Sequence, residues 1–97
     1  MRIISKSTLT EFWEREPEAQ PELEAWHAEA KHSTWSTPAD IKAQYGKASI
    51  LKDGRVVFNI GGNKYRLVVW INYVHFTVDI RFVGTHGAYD EIDAQTV

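Results

Sequence analysis

The sequence has 97 residues, of which 43% are hydrophobic and 12% aromatic, with no cysteine and a formal net charge of −2. This length and composition predict one folded domain over residues 1–97, and they argue against disorder, disulfide bonds and thiolate metal sites. The N-terminus lacks an apolar signal segment and no apolar run approaches the ~18 residues of a membrane span, so we expect a soluble cytoplasmic protein with no membrane partner.

The N-terminal half of the chain carries the patterns of one strand and three helices. A β-branched stretch at Arg2–Ser5 predicts the strand. Two helices are then predicted by apolar stripes at helical spacing, formed by Leu9, Phe12 and Trp13 and by Ala19, Leu23, Trp26 and Ala30. A third, short helix is expected to begin at Pro38 with Thr37 as its N-cap and to end before Gly46.

From Ala48 onward the pattern becomes that of β-strands. The segment is rich in Val, Ile, Phe, Tyr and Trp, and the turn signals Asp53–Gly54 and Gly61–Asn63 divide it into hairpins. Helices followed by a meander of strands predict an α+β fold. In this fold a short N-terminal strand and two to three helices pack on one face of an antiparallel β-sheet.

Two-residue turns at Gly61–Gly62 and Tyr73–Val74 would set the register of the last two hairpins. Every opposed pair on one face is then apolar, as expected for a face that is covered by helices. This predicted core face comprises Val56, Phe58, Ile60, Tyr65, Leu67, Val69, Ile71, Phe76, Val78, Ile80 and Phe82.

The same register places Arg66 directly opposite Arg81 on the other face of the sheet. Like charges that oppose each other across strands are unfavourable, so we expect an anion beside them. Asp79, on the same strand and face as Arg81, is the candidate within the protein, and a phosphate is the candidate from outside. Trp70 on this face is a candidate platform for the stacking of a base.

The end of the last strand reads IRFVGTHGAYD, from Ile80 to Asp90. The spacing of His86, Tyr89 and Asp90 places them on one side of a short helical turn, at the rim of the face with the arginines. The simpler interpretation is a turn capped by Thr85, with Tyr89 packed on the sheet and Asp90 in solvent. A metal site built from His86 and neighbouring acids is a weaker alternative, because the sequence contains no metal-binding motif.

Two arginines, a histidine, a tyrosine and a carboxylate suit the cleavage of RNA without a metal. The 2′-hydroxyl attacks the adjacent phosphorus, and the step requires a base, an acid and positive charge near the phosphorane. The charge distribution allows such a substrate, since six Lys and Arg residues face one Asp between Lys42 and Arg66, whereas seven Glu face one Arg between Glu11 and Glu29. A basic segment of this kind is typical either of a nucleic-acid surface or of a solvated face.

Two motifs resemble the HigB family of type II toxin–antitoxin systems, which are mRNA interferases with a RelE-like fold: FNIGGNKYR at Phe58–Arg66 and IRFVGTHGAYD at Ile80–Asp90. The resemblance covers most of the chain. It implies a ribosome-associated, metal-independent endoribonuclease that cleaves translated mRNA, inhibits translation and growth, and requires no cofactor. By position, it implies catalytic roles for Arg66, Arg81, His86, Tyr89 and Asp90 and substrate contacts for Asn59 and Lys64.

The resemblance also implies the partners of the chain. A HigA-like antitoxin with a helix-turn-helix would bind the toxin, and the pair would bind its own operator DNA. The ribosome and mRNA would be the other partners. Two alternatives stay open: a toxin of the same fold that binds a non-RNA target such as gyrase, and a non-catalytic interaction module whose sheet face binds a partner helix or peptide.

Overall fold

The computed structural model describes all 97 residues. The elements in chain order are β1 (Arg2–Ile4), α1 (Lys6–Arg15), α2 (Gln20–His32), α3 (Pro38–Gln44), β2 (Ser49–Ile50), β3 (Arg55–Ile60), β4 (Tyr65–Asn72), β5 (Thr77–Thr85) and α4 (His86–Tyr89). Short 3-10 turns at Pro17–Ala19 and Lys52–Gly54 precede α2 and β3. None of the helices combines the length and the apolar character needed to cross a membrane.

The five strands form one sheet in the order β1–β5–β4–β3–β2. β1 pairs in parallel with the start of β5, and all other neighbours are antiparallel. The helices that follow β1 pack on one face of this sheet, and their apolar stripes join the inward-facing strand residues in a cluster of 19 buried side chains. The α+β prediction, with a RelE-like arrangement, is thereby confirmed.

The predicted helices are present, and the N-cap predicted for α3 is confirmed. Thr37 caps α3 in a capping box with Asp40, as the Thr-Pro start predicts, because the Thr37 hydroxyl accepts from the Asp40 amide at 3.3 Å. Ser5 precedes α1 but makes no side-chain cap, since it adopts a left-handed conformation with φ of 72°. The apolar stripes predicted for α1 and α2 face the core, with Leu9, Leu23 and Ala30 fully buried.

The turn between β3 and β4 contains four residues, 61–64, so the predicted two-residue turn at Gly61–Gly62 is wrong. Phe58 pairs with Leu67, and Val56 with Val69, which is two residues away from the predicted register. Because successive side chains in a strand alternate between faces, a shift of two preserves the face of every residue. The predicted core face of these two strands is therefore correct although its pairing is not.

A β-bulge in β5 changes the faces at the end of that strand. Val69 pairs with Ile80, but the preceding Val68 pairs with Phe82, so Arg81 is an extra residue without a partner. Beyond the bulge the alternation is reversed. Val83 therefore joins the main core and Phe82 packs in a smaller cluster on the opposite face, which corrects the predicted core position of Phe82.

The β4–β5 turn also removes one predicted core residue. Asn72 pairs with Thr77, and the four residues between them form the turn in place of the predicted two-residue turn. Phe76 lies in this turn with φ of 54° and is 42% exposed, so its predicted pairing with Ile71 is wrong. The preference for a four-residue turn is understandable, because Tyr73 and Val74 lack the residue types that a tight two-residue hairpin turn requires.

The chain after α4 returns across the sheet face that lies away from the helices, which we call the outer face. Its apolar residues pack on that face with Val57 and Val68, and the resulting small cluster also contains Leu51, Phe82, Tyr89, Ile92, Ala94 and Val97. Val57 and Val68 are consequently buried, at 2% and 0% exposure. The outer face is therefore partly covered by the C-terminal segment.

Candidate active site

The junction between β5 and α4 is tied by hydrogen bonds to the β3–β4 turn. Thr85 pairs with Tyr65, and the amide of His86 donates to the carbonyl of Lys64 across 3.1 Å. The Thr85 hydroxyl accepts from the amide of Ala88 at 3.2 Å and so caps α4. These contacts hold the first residue of α4 at the end of the sheet, beside the turn.

His86, the first residue of α4, and Asp90, the residue directly after that helix, face each other as their spacing predicts. Nε2 of His86 lies 3.4 Å from Oδ1 of Asp90, and the two side chains are 56% and 62% exposed. A carboxylate beside one imidazole nitrogen orients the ring and leaves the other nitrogen, Nδ1, free for a substrate. The pair can therefore exchange a proton with a ligand that approaches from solvent.

Arg66 directs its guanidinium toward the same end of the sheet. Its Nη1 donates to the carbonyls of Asn63 and Tyr65, each at 3.2 Å, so the side chain bends back toward the β3–β4 turn. No carboxylate lies within ion-pair distance of Arg66, since the three ion pairs of the protein involve other residues. The half-buried guanidinium thus retains donors for an external anion.

Arg81 does not lie opposite Arg66, and the predicted register is wrong at this point. The bulge at Arg81 places Gly84 opposite Arg66 instead. The anion expected beside the arginine is Asp79, whose Oδ2 accepts from Nη1 of Arg81 at 3.0 Å. Arg81 also donates from Nε to the main-chain oxygen of Val97 at 3.2 Å.

The two arginines therefore belong to different cross-strand rows of the outer face. One row consists of Asn59, Arg66 and Gly84. The other row consists of Arg55, Trp70 and Asp79, and the side chain of Arg81 turns toward Asp79. The rows are four residues apart along β4, which corresponds to about 13 Å at ~3.3 Å per residue. The five residues predicted to be catalytic are not gathered around a single point.

Tyr89 packs on the sheet, as the simpler interpretation of this segment as a capped turn expects. Its ring is half-buried and packs against the small outer-face cluster around Val57 and Val68. Thr85 also caps α4 as that interpretation expects. Asp90, by contrast, faces His86, so the turn combines the packing of one residue with the pairing of two others.

The predicted substrate-contact residues lie at three different places. Asn59 pairs with Arg66 in the same row, where it is half-buried. Lys64 is exposed in the β3–β4 turn, and its ammonium group lies 3.4 Å from the carboxylate of Glu18. Trp70 is 49% exposed in the other row, and its Nε1 donates to the carbonyl of Asp53 at 2.8 Å.

Arg55 is a charged residue of this face to which the sequence patterns attach no role. Its Nη1 donates to the main-chain oxygen of Val97 and, at 3.4 Å, to that of Ala94. The C-terminal segment is also attached at Gln95, whose side chain exchanges two hydrogen bonds with the main chain of Lys52, at 3.0 and 2.8 Å. The residues after Asp90 have no strand or helix period, so the sequence does not predict their contact with Arg55. In the sequence Arg55 is marked only by its position on the outer face and in the basic segment.

No three His, Asp or Glu side chains come together in a group that could hold a metal ion. The sheet end has an open cavity of about 330 Å³, lined by residues of α1, β5 and α4 that include Arg15, Phe82, Gly84 and Thr85. This cavity lies along the part of β5 that β1 does not cover, because β1 pairs only with residues 77–79. A ligand at the sheet end can therefore approach along an unpaired strand edge.

Comparison with known proteins places this chain among toxins. Residues 19–92 match the family model HigB_toxin, described as the RelE-like toxic component of a toxin–antitoxin system. The mRNA interferase HigB of Escherichia coli O6:H1 (strain CFT073) is 26% identical over 94 residues, which cover 95% of this chain and 91% of that protein. The mRNA interferase toxin HigB of Escherichia coli K12 is 30% identical over 92 residues, which cover 93% and 88%.

Proposed function

The chain belongs to the HigB family, the RelE-like toxic components of toxin–antitoxin systems, and on that premise we propose that it is an endoribonuclease that cleaves translated mRNA on the ribosome without a metal ion. The curated relatives carry the name mRNA interferase, which supports the substrate class. Cleavage of mRNA in translation would inhibit protein synthesis and growth. This substrate would place the activity in the cytoplasm.

One observation carries the proposal: an arginine without a carboxylate partner and an exposed His–Asp pair occupy the same end of the sheet. Arg66 turns toward the β3–β4 turn, and the main chain of His86 is bonded to that turn. Asp90 faces the His86 ring. Positive charge and a proton-transfer group held at adjacent positions are what phosphodiester cleavage requires.

In the proposed reaction, the 2′-oxygen of the nucleotide attacks the adjacent phosphorus and loses its proton. The bond from phosphorus to the 5′-oxygen breaks, and that oxygen gains a proton, so a 2′,3′-cyclic phosphate and a 5′-hydroxyl remain. Nδ1 of His86 exchanges one of these protons, and Arg66 neutralises the charge on the phosphorane. Asp90 orients the ring of His86, and Tyr89 and Asn59 support the sheet end at which the phosphate binds.

The family membership implies an antitoxin as a partner. We propose that this antitoxin is HigA-like, with a helix-turn-helix, and that the complex binds its own operator DNA. The ribosome is the proposed site of action. Lys64, which projects from the turn beside the site, is positioned to contact RNA phosphates if its pair with Glu18 opens.

The test is expression of the chain without antitoxin, followed by primer extension on a reporter mRNA and on a matched reporter that lacks a start codon. We expect discrete cuts only in the translated reporter. The fragments should accept a 5′ label from a kinase without prior phosphatase treatment, because attack by the 2′-hydroxyl leaves a 5′-hydroxyl. Fragments with 5′-phosphates would refute the metal-independent mechanism, and intact transcripts in arrested cells would indicate a target other than RNA.

Two substitutions connect the activity to the site. His86→Ala and Arg66→Ala should each lower cleavage by about 10²-fold or more, while both variants stay folded at the assay temperature, which thermal melting checks. His32→Ala and Arg2→Ala are matched controls, since both residues are exposed and distant in the sequence from the site. Full cleavage by both site variants would refute the residue assignment.

A further inference from the structure

Building on the proposed RNA cleavage, we propose that Arg55 and Arg81 form a second phosphate-binding position, which holds a backbone phosphate of the RNA other than the scissile one. In the structure, residues 95–97 occupy this position. RNA would take the place of the Val97 main-chain oxygen. The position adds a substrate-binding residue, Arg55, which lies beside Trp70 in the row four residues along β4 from Arg66.

The geometry of the two guanidinium groups supports this position. Nη1 of Arg55, from β3, and Nε of Arg81, from β5, both donate to the same oxygen of Val97, with a distance of 3.2 Å for Arg81. The two strands are separated by β4, so the side chains reach toward each other across the outer face. Convergence of two cationic donors on one oxygen is an arrangement that suits a phosphate oxygen.

Asp79 fixes the direction of Arg81 without filling the position. Its carboxylate accepts from Nη1 of Arg81 at 3.0 Å, which leaves the Nε edge directed at Val97. Arg55 has no Asp or Glu partner and uses Nη1 for the oxygens of Ala94 and Val97. The net charge of the three side chains therefore stays positive, as binding of a phosphate requires.

A phosphate can take the place of the Val97 oxygen, because both guanidinium groups would bind it through charge-assisted hydrogen bonds, the stronger class of hydrogen bond in proteins. The amides of Gln95, Thr96 and Val97 are bonded to Asp93 within their own turn, and the attachment of these residues to the sheet itself is limited. Gln95 is held to Lys52 by two hydrogen bonds near the surface, and Val97 packs at the border of the small apolar cluster. Release of residues 95–97 leaves Ala94 in place over Val57 and Val68.

The row that contains Arg55 also contains Trp70, whose ring is 49% exposed. A cationic groove beside an aromatic ring is the usual combination for binding of single-stranded nucleic acid. The separation of about 13 Å between this row and the row of Arg66 is within the length of a short extended strand. One RNA strand can therefore contact Arg66 at the sheet end and Arg55 in the second row.

The test measures binding separately from cleavage, by fluorescence anisotropy with a single-stranded RNA in which 2′-deoxy nucleotides prevent the reaction. Arg55→Ala should weaken binding about tenfold or more, and the slope of log affinity against log salt should fall by about 0.7. Arg55→Lys, which keeps the charge, should recover part of the affinity. Arg2→Ala, on the edge strand β1, should leave affinity and slope unchanged.

Release of the C-terminal residues should have the opposite effect to Arg55→Ala and strengthen RNA binding. Gln95→Ala combined with Val97→Gly, which removes the hydrogen bonds to Lys52 and the apolar contact of Val97, should tighten RNA binding, by up to about tenfold if the open state is about a tenth of the population. Gln95→Ala, which removes only the hydrogen bonds to Lys52, should act in the same direction with intact folding. Arg55→Ala in the double variant should abolish the gain.

The outcomes separate this inference from the proposed function. If Arg55→Ala binds RNA as wild type does, or if neither C-terminal variant binds more tightly, the second phosphate position is refuted, whether or not the chain cleaves mRNA. If the binding effects occur while no mRNA is cut in cells, the position stands and the nuclease activity is refuted. Equal affinity of the double variant for inorganic phosphate and for the RNA would assign the position to a free anion and overturn the RNA assignment.

Discussion

Gly84 lies directly opposite Arg66, and the ring of Phe82 packs against the glycine backbone. A Cβ at position 84 would lie 2.6 Å from Cζ of Phe82, which is closer than real side chains approach. The bulge at Arg81 turns Phe82 to the outer face, and the missing side chain at Gly84 leaves room for its ring. The row that presents Arg66 therefore depends on a glycine in the neighbouring strand.

We predict that Gly84→Ala destabilises the protein by about 1–3 kcal/mol, the range for forced repacking around an added methyl group. Activity should fall as well, because Phe82 must move beside the site. Urea unfolding followed by tryptophan fluorescence measures the first effect. Gly87→Ala is the matched control, since the nearest atom to a Cβ there is Oγ1 of Thr85 at 4.0 Å. Equal unfolding midpoints for the two variants would contradict the prediction.

The position of His86 depends on the cap that Thr85 provides. Thr85→Ala removes the hydroxyl that accepts from the Ala88 amide, and loss of such a cap typically costs about 1 kcal/mol. Because α4 has only a single turn, we expect it to fray and cleavage to fall. Thr85→Ser retains the hydroxyl and should keep both stability and activity. Wild-type cleavage rates in Thr85→Ala would show that α4 needs no cap to hold His86.

Asp90 is expected to act through His86 as a positioning residue. Asp90→Asn keeps the shape of the side chain but removes the negative charge that faces Nε2 of His86. We expect kcat to fall by about tenfold or more with little change in KM, because ring orientation matters for proton transfer and not for RNA binding. Asp90→Glu should recover part of kcat. A change confined to KM would instead assign Asp90 to substrate binding.

The phenol of Tyr45 makes stability depend on alkaline pH. Burial, followed by the hydrogen bond to Glu29, raises the pKa of Tyr45 above its ordinary value of 10.0. The unfolded chain therefore loses this proton first, so the stabilisation is complete below pH 10 and declines as pH rises beyond that value. We expect the free energy of unfolding to decline less steeply above pH 10 in Tyr45→Phe than in wild type. Parallel curves for the two proteins across this pH range would rule out the contribution of Tyr45.

Alternation of apolar residues was sufficient to predict the faces of β3 and β4, even though the turn length was wrong. Phe58 and Leu67 face the core in either register, because the error of two residues equals one full period of the strand. In β5 beyond the bulge the predicted pairing is wrong by an odd number of residues, so the faces of Phe82 and Val83 are reversed. Phe82 and Val83 are two consecutive apolar residues directly before Gly84. This pattern was a signal for the bulge, since an isolated glycine within a strand often accompanies one.

The sequence by itself determined the α+β architecture, the helices, the core face of the central strands and the family, because these follow from local periodicity and from motifs within short segments. Its spacing placed His86 and Asp90 on one side of a helical turn, but it left open whether Asp90 would pair with His86 or stay in solvent. Only the tertiary structure decided that Arg81 stands apart from Arg66 and that Val97 lies between Arg55 and Arg81. Those relationships depend on one inserted residue and on an aperiodic C-terminal segment, whose position is set by contacts with distant strands.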